Sequence, residues 1–248
     1  MTKEELDVFL MTHTQAMNLY VKPGASIYWC HDIRFNAQFK QILETNKYHV
    51  ADVLIWKKNN SSVWMTNYAK YYEPILYGWK EGAKNSFYAI GMQPNTIDLD
   101  KLEDKSTKEL IDIILQLRAP PNYQEFAREP RAVASLHPTV KPAALIAYHL
   151  INSSKEGDIV YDGFSGSGST LIAATRTKRK AYCIELEPKF VDVTIARWQE
   201  ETSTQAYRES DNVKWDDIDQ GVNTQQNLTS LFDLTPEQND ALQEVLNG

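Results

Sequence analysis

The chain has 248 residues, 42% apolar and 24% charged, the balance of a soluble globular protein with room for a sizeable core. No apolar run reaches the ~18–20 residues that a bilayer-spanning helix needs, and the acidic start MTKEELDVFL lacks the basic-then-apolar pattern of a secretory leader. The net charge of −7 is uneven: from Glu200 onward 11 acidic residues face 2 basic ones, a net of −9, so the rest of the chain stands at +2 and an anionic partner is not excluded.

Residues Glu4 to Tyr20 place Leu6, Phe9, Leu10, His13, Ala16, Met17 and Tyr20 at helical spacing, which predicts an amphipathic first helix. A Pro-Gly turn in VKPGA then feeds a strand over Ser26 to Cys30. A helix over Asn36 to Thr45 follows, then a strand in VADVLIWKK and another in EPILYGWK. Gly82 to Leu136 lacks a steady period, apart from a helix-like stretch over Lys105 to Leu117. From His137 the pattern sharpens: HPTVKPAALIAYHLINSS puts Pro142 in the first turn of an apolar helix, where proline is tolerated. GDIVYDGF reads as strand, STLIAATRT as helix, KAYCIELE as strand and PKFVDVTIARWQEE as helix, the alternation of a parallel α/β sheet. The polar tail ends in a short helix that Thr235 would cap. Cys30 and Cys183 lie in apolar runs and read as buried thiols, and the five histidines form no ligand cluster, so no metal site is expected.

The stretch GDIVYDGFSGSGST carries the chemistry. A parallel strand ending in Asp162, followed by Gly166, Gly168 and a helix, sets a ligand at the carboxyl edge of the sheet. Glu185 ends the next strand, 17 residues after Gly168, where an acid can accept hydrogen bonds from both ribose hydroxyls of an adenosine-containing ligand. The phosphate loop is absent, since Ser169 and Thr170 follow Gly168 with no lysine, and the dinucleotide pattern fails at Leu171. A carboxylate at the turn repels phosphate and suits an ammonium group. A ligand with an amino group and a ribose but no phosphate is S-adenosylmethionine.

HPTVKP, then DGFSGSGST about twenty residues later, then IELEPKF, resembles the permuted DNA amino-methyltransferases acting on adenine N6 or cytosine N4, in particular those of phages and prophages. LYVKPGASIYW, LIWKKNN and YYEPILYGWKEGA agree in order, and the resemblance runs from Glu4 to Glu200. It implies a Rossmann-like α/β sheet with a small target-recognition insertion. Residues 1–82 would form the catalytic-side half, 83–136 the recognition region, 137–200 the cofactor half and 201–248 an acidic tail. Asp162, Phe164, Gly166, Ser167 and Gly168 would form the cofactor loop and Glu185 would hold the ribose. His137, Thr139, Lys141 and Pro142 would close the methionine end, with Lys141 as partner of its carboxylate. Gly163 stands where the family usually has proline.

The catalytic signature of that family, an Asp, Asn or Ser followed by Pro-Pro and an aromatic, is not found in the sequence. APPNY, Ala119 to Tyr123, has no polar residue before the prolines and no strand feeding it, and reads as a loop of the recognition region. The resemblance would draw a central strand from the missing part. Such strands are hydrogen-bonded at both edges, so an empty slot is costly. Another polypeptide fills it, the halves re-pair imperfectly, or the chain is a truncated product. Lys57, Lys58 and Asn59 at a strand end, and Arg118, Arg128 and Arg131 in the recognition region, are the candidate contacts to double-stranded DNA. The expectation is a cytoplasmic methyltransferase that takes its catalytic strand from a second polypeptide; the alternative is an inactive relative that only binds cofactor or DNA.

Overall fold

In a computed structural model, which describes residues 2–58, 69, 71–88, 122–127 and 140–218, Thr2 opens the first helix, α1 (Lys3–Asn18). The Thr2 hydroxyl accepts from the Glu5 amide at 3.2 Å and the Glu5 carboxylate accepts from the Thr2 amide at 2.7 Å, a reciprocal capping box. The other end of α1 is held by the Lys80 ammonium, which donates to the carbonyls of Asn18 at 2.6 Å and Val21 at 2.8 Å. A cation there also suits the helix dipole. The chain divides into two compact units, residues 1–126 with 151–154, and 127–150 with 155–248.

The first unit adds β1 (Ser26–Cys30), α2 (Asn36–Thr45), β2 (Tyr48–Lys57), β3 (Tyr72–Lys80) and the short β4 (Tyr123–Glu125). Their sheet runs β1-β3-β2-β4, with β3 antiparallel to both long neighbours and β4 parallel to β2. Its core is Leu43, Tyr48 and Leu76, with Met17, Ile27, Trp29 and Phe39 packed around them. Gly78 is needed where β3 passes β2: a Cβ there would stand 2.1 Å from the His49 carbonyl oxygen. β4 was not legible in the sequence. Three residues, Tyr-Gln-Glu, carry no alternation, and their strand state comes from pairing with Ile55 to Lys57. The end of the supposed recognition loop thus belongs to the sheet: Asn122 accepts from the Ile55 amide at 2.7 Å.

The second unit holds β5 (Ile159–Asp162), α4 (Ser169–Arg176), β6 (Lys180–Cys183), α5 (Pro188–Thr202) and most of α3 (Ala143–Ser153). Pro142 stands one residue before α3, its carbonyl accepting from the Leu145 and Ile146 amides. β5 and β6 are parallel, pairing Ile159 with Lys180 and Asp162 with Cys183. That is the expected β-α-β grammar, and α4 packs against both β6 and α5. One sheet face carries the half-buried Val160, Asp162, Ala181 and Cys183, and the other exposes Ile159, Tyr161 and Tyr182. Among the described residues β1 pairs only with β3, and β5 only with β6.

The chain after α5 does not begin as a loose tail. A bridge between Tyr207 and Lys214 closes a small hairpin, and Trp215 is buried at the following turn. The Asp216 carboxylate accepts from the side-chain amide Nε2 of Gln199 on α5 at 3.0 Å. The stretch Lys105 to Leu117 and the helix expected after Thr235 lie outside the described residues.

Candidate functional site

The carboxyl ends of β5 and β6 bring two acids to one glycine turn. Asp162 closes β5, and its Oδ1 accepts from the Phe164 amide at 2.9 Å while its Oδ2 accepts from the Thr170 hydroxyl at 2.5 Å. Glu185 lies two residues beyond β6. Its Oε2 accepts from the Gly166 amide at 2.7 Å and its Oε1 from the Glu187 amide at 3.0 Å. Two backbone bonds tie the strand ends together: the Ile184 amide donates to Asp162 at 2.8 Å and the Ser165 amide donates to Ile184 at 3.1 Å. Each carboxylate oxygen retains a second lone pair, so both acids can hold the turn and still accept from a ligand.

The turn itself depends on its glycines. Gly166 has φ 55° and Gly168 φ 83°, a left-handed backbone that costs other L-residues roughly 1–2 kcal/mol. Gly168 has a second reason: a Cβ would lie 2.5 Å from Cγ2 of Thr194 on α5. Gly168 caps α4, so the free amides of that helix open onto the turn. Lys141 is drawn to the same helix start, where its carbonyl accepts from the Ser169 hydroxyl at 2.7 Å. Phe164 and Leu186 stand exposed beside the acids; Leu186, 93% exposed, carries no mark in the sequence, because an isolated leucine after an acid gives no signal.

The remaining expected residues are placed as follows. Ser167 is in the turn but only 3% exposed. Burial pushes the Cys183 thiol up to about 12, with the Asp162 charge adding to it, so no thiolate forms beside the turn at neutral pH. His137 and Thr139 lie outside the described residues, as do Asn59, Arg118, Arg128 and Arg131. Lys57 ends β2 and donates to Glu125 at 2.6 Å, 5.7 Å from the Tyr123 ring centre. That pair holds the Lys57 ammonium well above its ordinary value and the Glu125 carboxyl below its own. Lys58 is different: its side chain is 4% exposed, bonded to Glu73 and set 5.4 Å from the Trp56 ring centre. Its charge is spent inside the unit and is not presented to a phosphate. Among the described residues no group of three or more His, Cys, Asp or Glu could hold a metal ion. No described helix is long and apolar enough to cross a membrane.

Residues 2–197 match the family described as DNA methylase, the N6/N4 methyltransferases. The chain belongs to that family. Among its relatives, the Type II methyltransferase M2.DpnII of Streptococcus pneumoniae is 23% identical over 189 residues, 74% of this chain and 64% of the relative. The DNA adenine methyltransferase YhdJ of Escherichia coli K12 is 29% identical over 154 residues, 58% of this chain and 50% of the relative. This N6/N4 methylase chain therefore spans between half and just under two thirds of the curated relatives it matches. The fold matches solved methyltransferases. The complex of M1.HpyAVI with S-adenosylmethionine aligns at TM-score 0.57 and 23% identity, covering 76% of this chain and 81% of that one. PvuII DNA methyltransferase, cytosine-N4-specific, aligns at TM-score 0.59 and 16% identity over 99% of this chain and 78% of that one. The shared fold is α/β with a mixed sheet, in accord with the antiparallel β3.

Proposed function

We propose that this chain is the cofactor-binding part of a DNA methyltransferase that methylates the exocyclic amine of adenine at N6 in double-stranded DNA, in a restriction-modification or phage setting within the cytoplasm. The observation that carries the reading is the pair of acids at adjacent parallel strand ends, both latched to one glycine turn that opens a helix. S-adenosylmethionine is the methyl donor of this family, and its sulfonium supplies an electrophilic methyl group when bound. The donor set fits that ligand: Glu185 has lone pairs for the two ribose hydroxyls, and Asp162 has them for an ammonium group. Lys141, whose carbonyl meets the start of α4, would pair through its side chain with the methionine carboxylate, completed by His137, Thr139 and Pro142. Phe164 and Leu186 offer apolar surface to the purine.

The residue that receives the target amine belongs to an Asp, Asn or Ser-Pro-Pro-aromatic segment that these 248 residues do not contain. In this reading a second polypeptide supplies it as a strand on the edge of β5, which among the described residues is paired on the β6 side alone. A parallel neighbour needs a crossover connection, usually a helix lying on a sheet face. Ile159, Tyr161 and Tyr182 form an exposed apolar face of that kind. Lys57, with Arg118, Arg128 and Arg131, would then meet DNA. Lys58 would serve only to position the end of β2.

Calorimetric titration of S-adenosylmethionine into the purified chain tests the reading. Saturable binding that Asp162→Ala and Glu185→Ala each weaken by about 100-fold or more is expected, from loss of charge-assisted bonds. No binding to a chain with a cooperative unfolding transition would overturn it. Methylation of DNA, read as N6-methyladenine by nucleoside digestion and mass spectrometry, is expected only after the polypeptide bearing the motif is added. A product at cytosine N4 would change the target base, and cofactor binding without methylation in the reconstituted pair would favour the inactive relative.

A further inference from the structure

The residues that shape the cofactor turn are not all in it. Helix α5 reaches the turn with two side chains, both aimed at carbonyls. The Thr194 hydroxyl donates to the Gly166 carbonyl at 3.1 Å. The Arg197 guanidinium donates to the Ser167 carbonyl and, at 3.3 Å, to the Ser167 hydroxyl. Two successive peptide units are therefore anchored on the same side. Among the described residues no peptide bond is cis. Across a trans peptide the N–H points opposite to the C=O. Anchoring the Gly166 carbonyl on α5 thus turns the Ser167 amide away from α5. Anchoring the Ser167 carbonyl does the same for the Gly168 amide, which donates to the Ser165 carbonyl at 3.0 Å and closes the turn.

The packing agrees with this division of labour. Ser167 is buried and faces Arg197, so its side chain serves the brace and not the ligand. A Cβ on Gly168 would stand 2.5 Å from Cγ2 and 3.0 Å from Cβ of Thr194, so a side chain there forces Thr194 or the turn to shift. The charge of Arg197 is balanced on its own helix by Glu200 and Glu201. Glu201 in turn takes both forks of Arg176 at the end of α4, at 2.7 Å each. The guanidinium thus sits in a fixed frame that joins both helices flanking the turn.

We propose that Thr194 and Arg197 are positioning residues for the methyl donor: Thr194, through the Gly166 carbonyl, turns the Ser167 amide outward to the ligand, Arg197, through the Ser167 carbonyl, fixes the next peptide so that the Gly168 amide closes the turn, and neither side chain touches cofactor or substrate. The inference rests on the cofactor reading given above.

The test is calorimetric titration of S-adenosylmethionine into the full chain and its variants, each checked for an unchanged unfolding midpoint without cofactor. Arg197→Ala is expected to weaken binding about 10-fold, the usual effect of losing a charged donor to a carbonyl. Arg197→Lys, which keeps one charged donor, should recover most of that loss, and millimolar methylguanidinium should tighten binding to Arg197→Ala alone. Thr194→Val, which keeps the shape and removes the hydroxyl, should weaken binding about 3- to 10-fold. Ser167→Ala should change it less than about 3-fold, because the carbonyl is the principal acceptor. Wild-type affinity in both Arg197→Ala and Thr194→Val would overturn the proposal while leaving the cofactor reading intact. Equal losses in Arg197→Ala and Arg197→Lys, with no methylguanidinium effect, would also overturn it, since mere packing would then explain them. If Arg197→Ala does not fold, Arg197→Lys and Thr194→Val decide. Failure of the wild type itself to bind removes the cofactor reading and this inference together.

Discussion

His149 shows how burial alone changes what a side chain can do. It lies within α3, is buried, and has its pKa pushed down to about 4 by desolvation of the charged form. In the unfolded chain the same imidazole titrates near its ordinary 6.5, so between those values the unfolded state binds more protons than the folded one. The stabilisation is complete above about pH 6.5 and is lost as pH falls toward 4, by up to roughly 3 kcal/mol. Urea unfolding followed between pH 7.5 and 4 should show that slope, and His149→Gln should flatten it relative to the wild type. A wild-type slope unchanged by the substitution would locate the titration elsewhere. Asp162 and Glu185 belong to the same scale. Their positions at strand ends were readable from spacing, but their hydrogen bonds to the turn were not. Those bonds depend on where Phe164, Gly166 and Glu187 come to rest in space.

At the scale of elements, the antiparallel pair β2–β3 is the backbone of the first unit. Gly78 lies opposite Val50, beside a register shift between Val50 and Asp52. With the His49 carbonyl 2.1 Å from where a Cβ would stand, Gly78→Ala cannot be absorbed by a rotamer change, because the obstacle is main chain. A loss of about 2–4 kcal/mol is expected, read from chemical denaturation of the first unit through its tryptophans. A loss under about 0.5 kcal/mol would mean that the two strands separate there with ease. The helices and long strands of both units were legible because their apolar periods are strong and their breaks carry Pro, Gly or Asn. Two elements were not. β4 exists because β2 offers it an edge, and the hairpin after α5 exists because Trp215 finds a buried place. Neither Tyr-Gln-Glu nor a single tryptophan in a polar stretch announces such a partner.

For the molecule as a whole, the telling feature is exposed apolar surface on a parallel sheet. Parallel pairs are normally covered on both faces. Here Ile159 is 65% and Tyr182 61% exposed on one face, with Tyr161 beside them. Uncovered surface of that kind marks an interaction site or promotes association. The double substitution Ile159→Lys with Tyr182→Lys should lower concentration-dependent light scattering of the isolated chain. It should leave S-adenosylmethionine affinity within about 2-fold, since neither side chain faces the turn, and, under the proposed function, it should block activation by an added polypeptide that bears the catalytic motif. Activation unimpaired by the double substitution would show that this face is not where that polypeptide docks.

By itself the sequence determined the local order of helix and strand, the glycine turn with its two acids, and the membership that these motifs announce. All of these follow from short-range chemistry: apolar period, backbone freedom and charge at fixed spacing. Tertiary structure alone decided which charges remain available and which are consumed. Lys57 and Lys58 are neighbours of identical type, yet one ends at the surface beside Glu125 and the other is enclosed with Glu73 and Trp56. Alternation along a strand sends successive side chains to opposite faces, and what each face meets is set by residues far away in the chain. The same reason hid Arg197, about thirty residues beyond the turn whose carbonyl it holds.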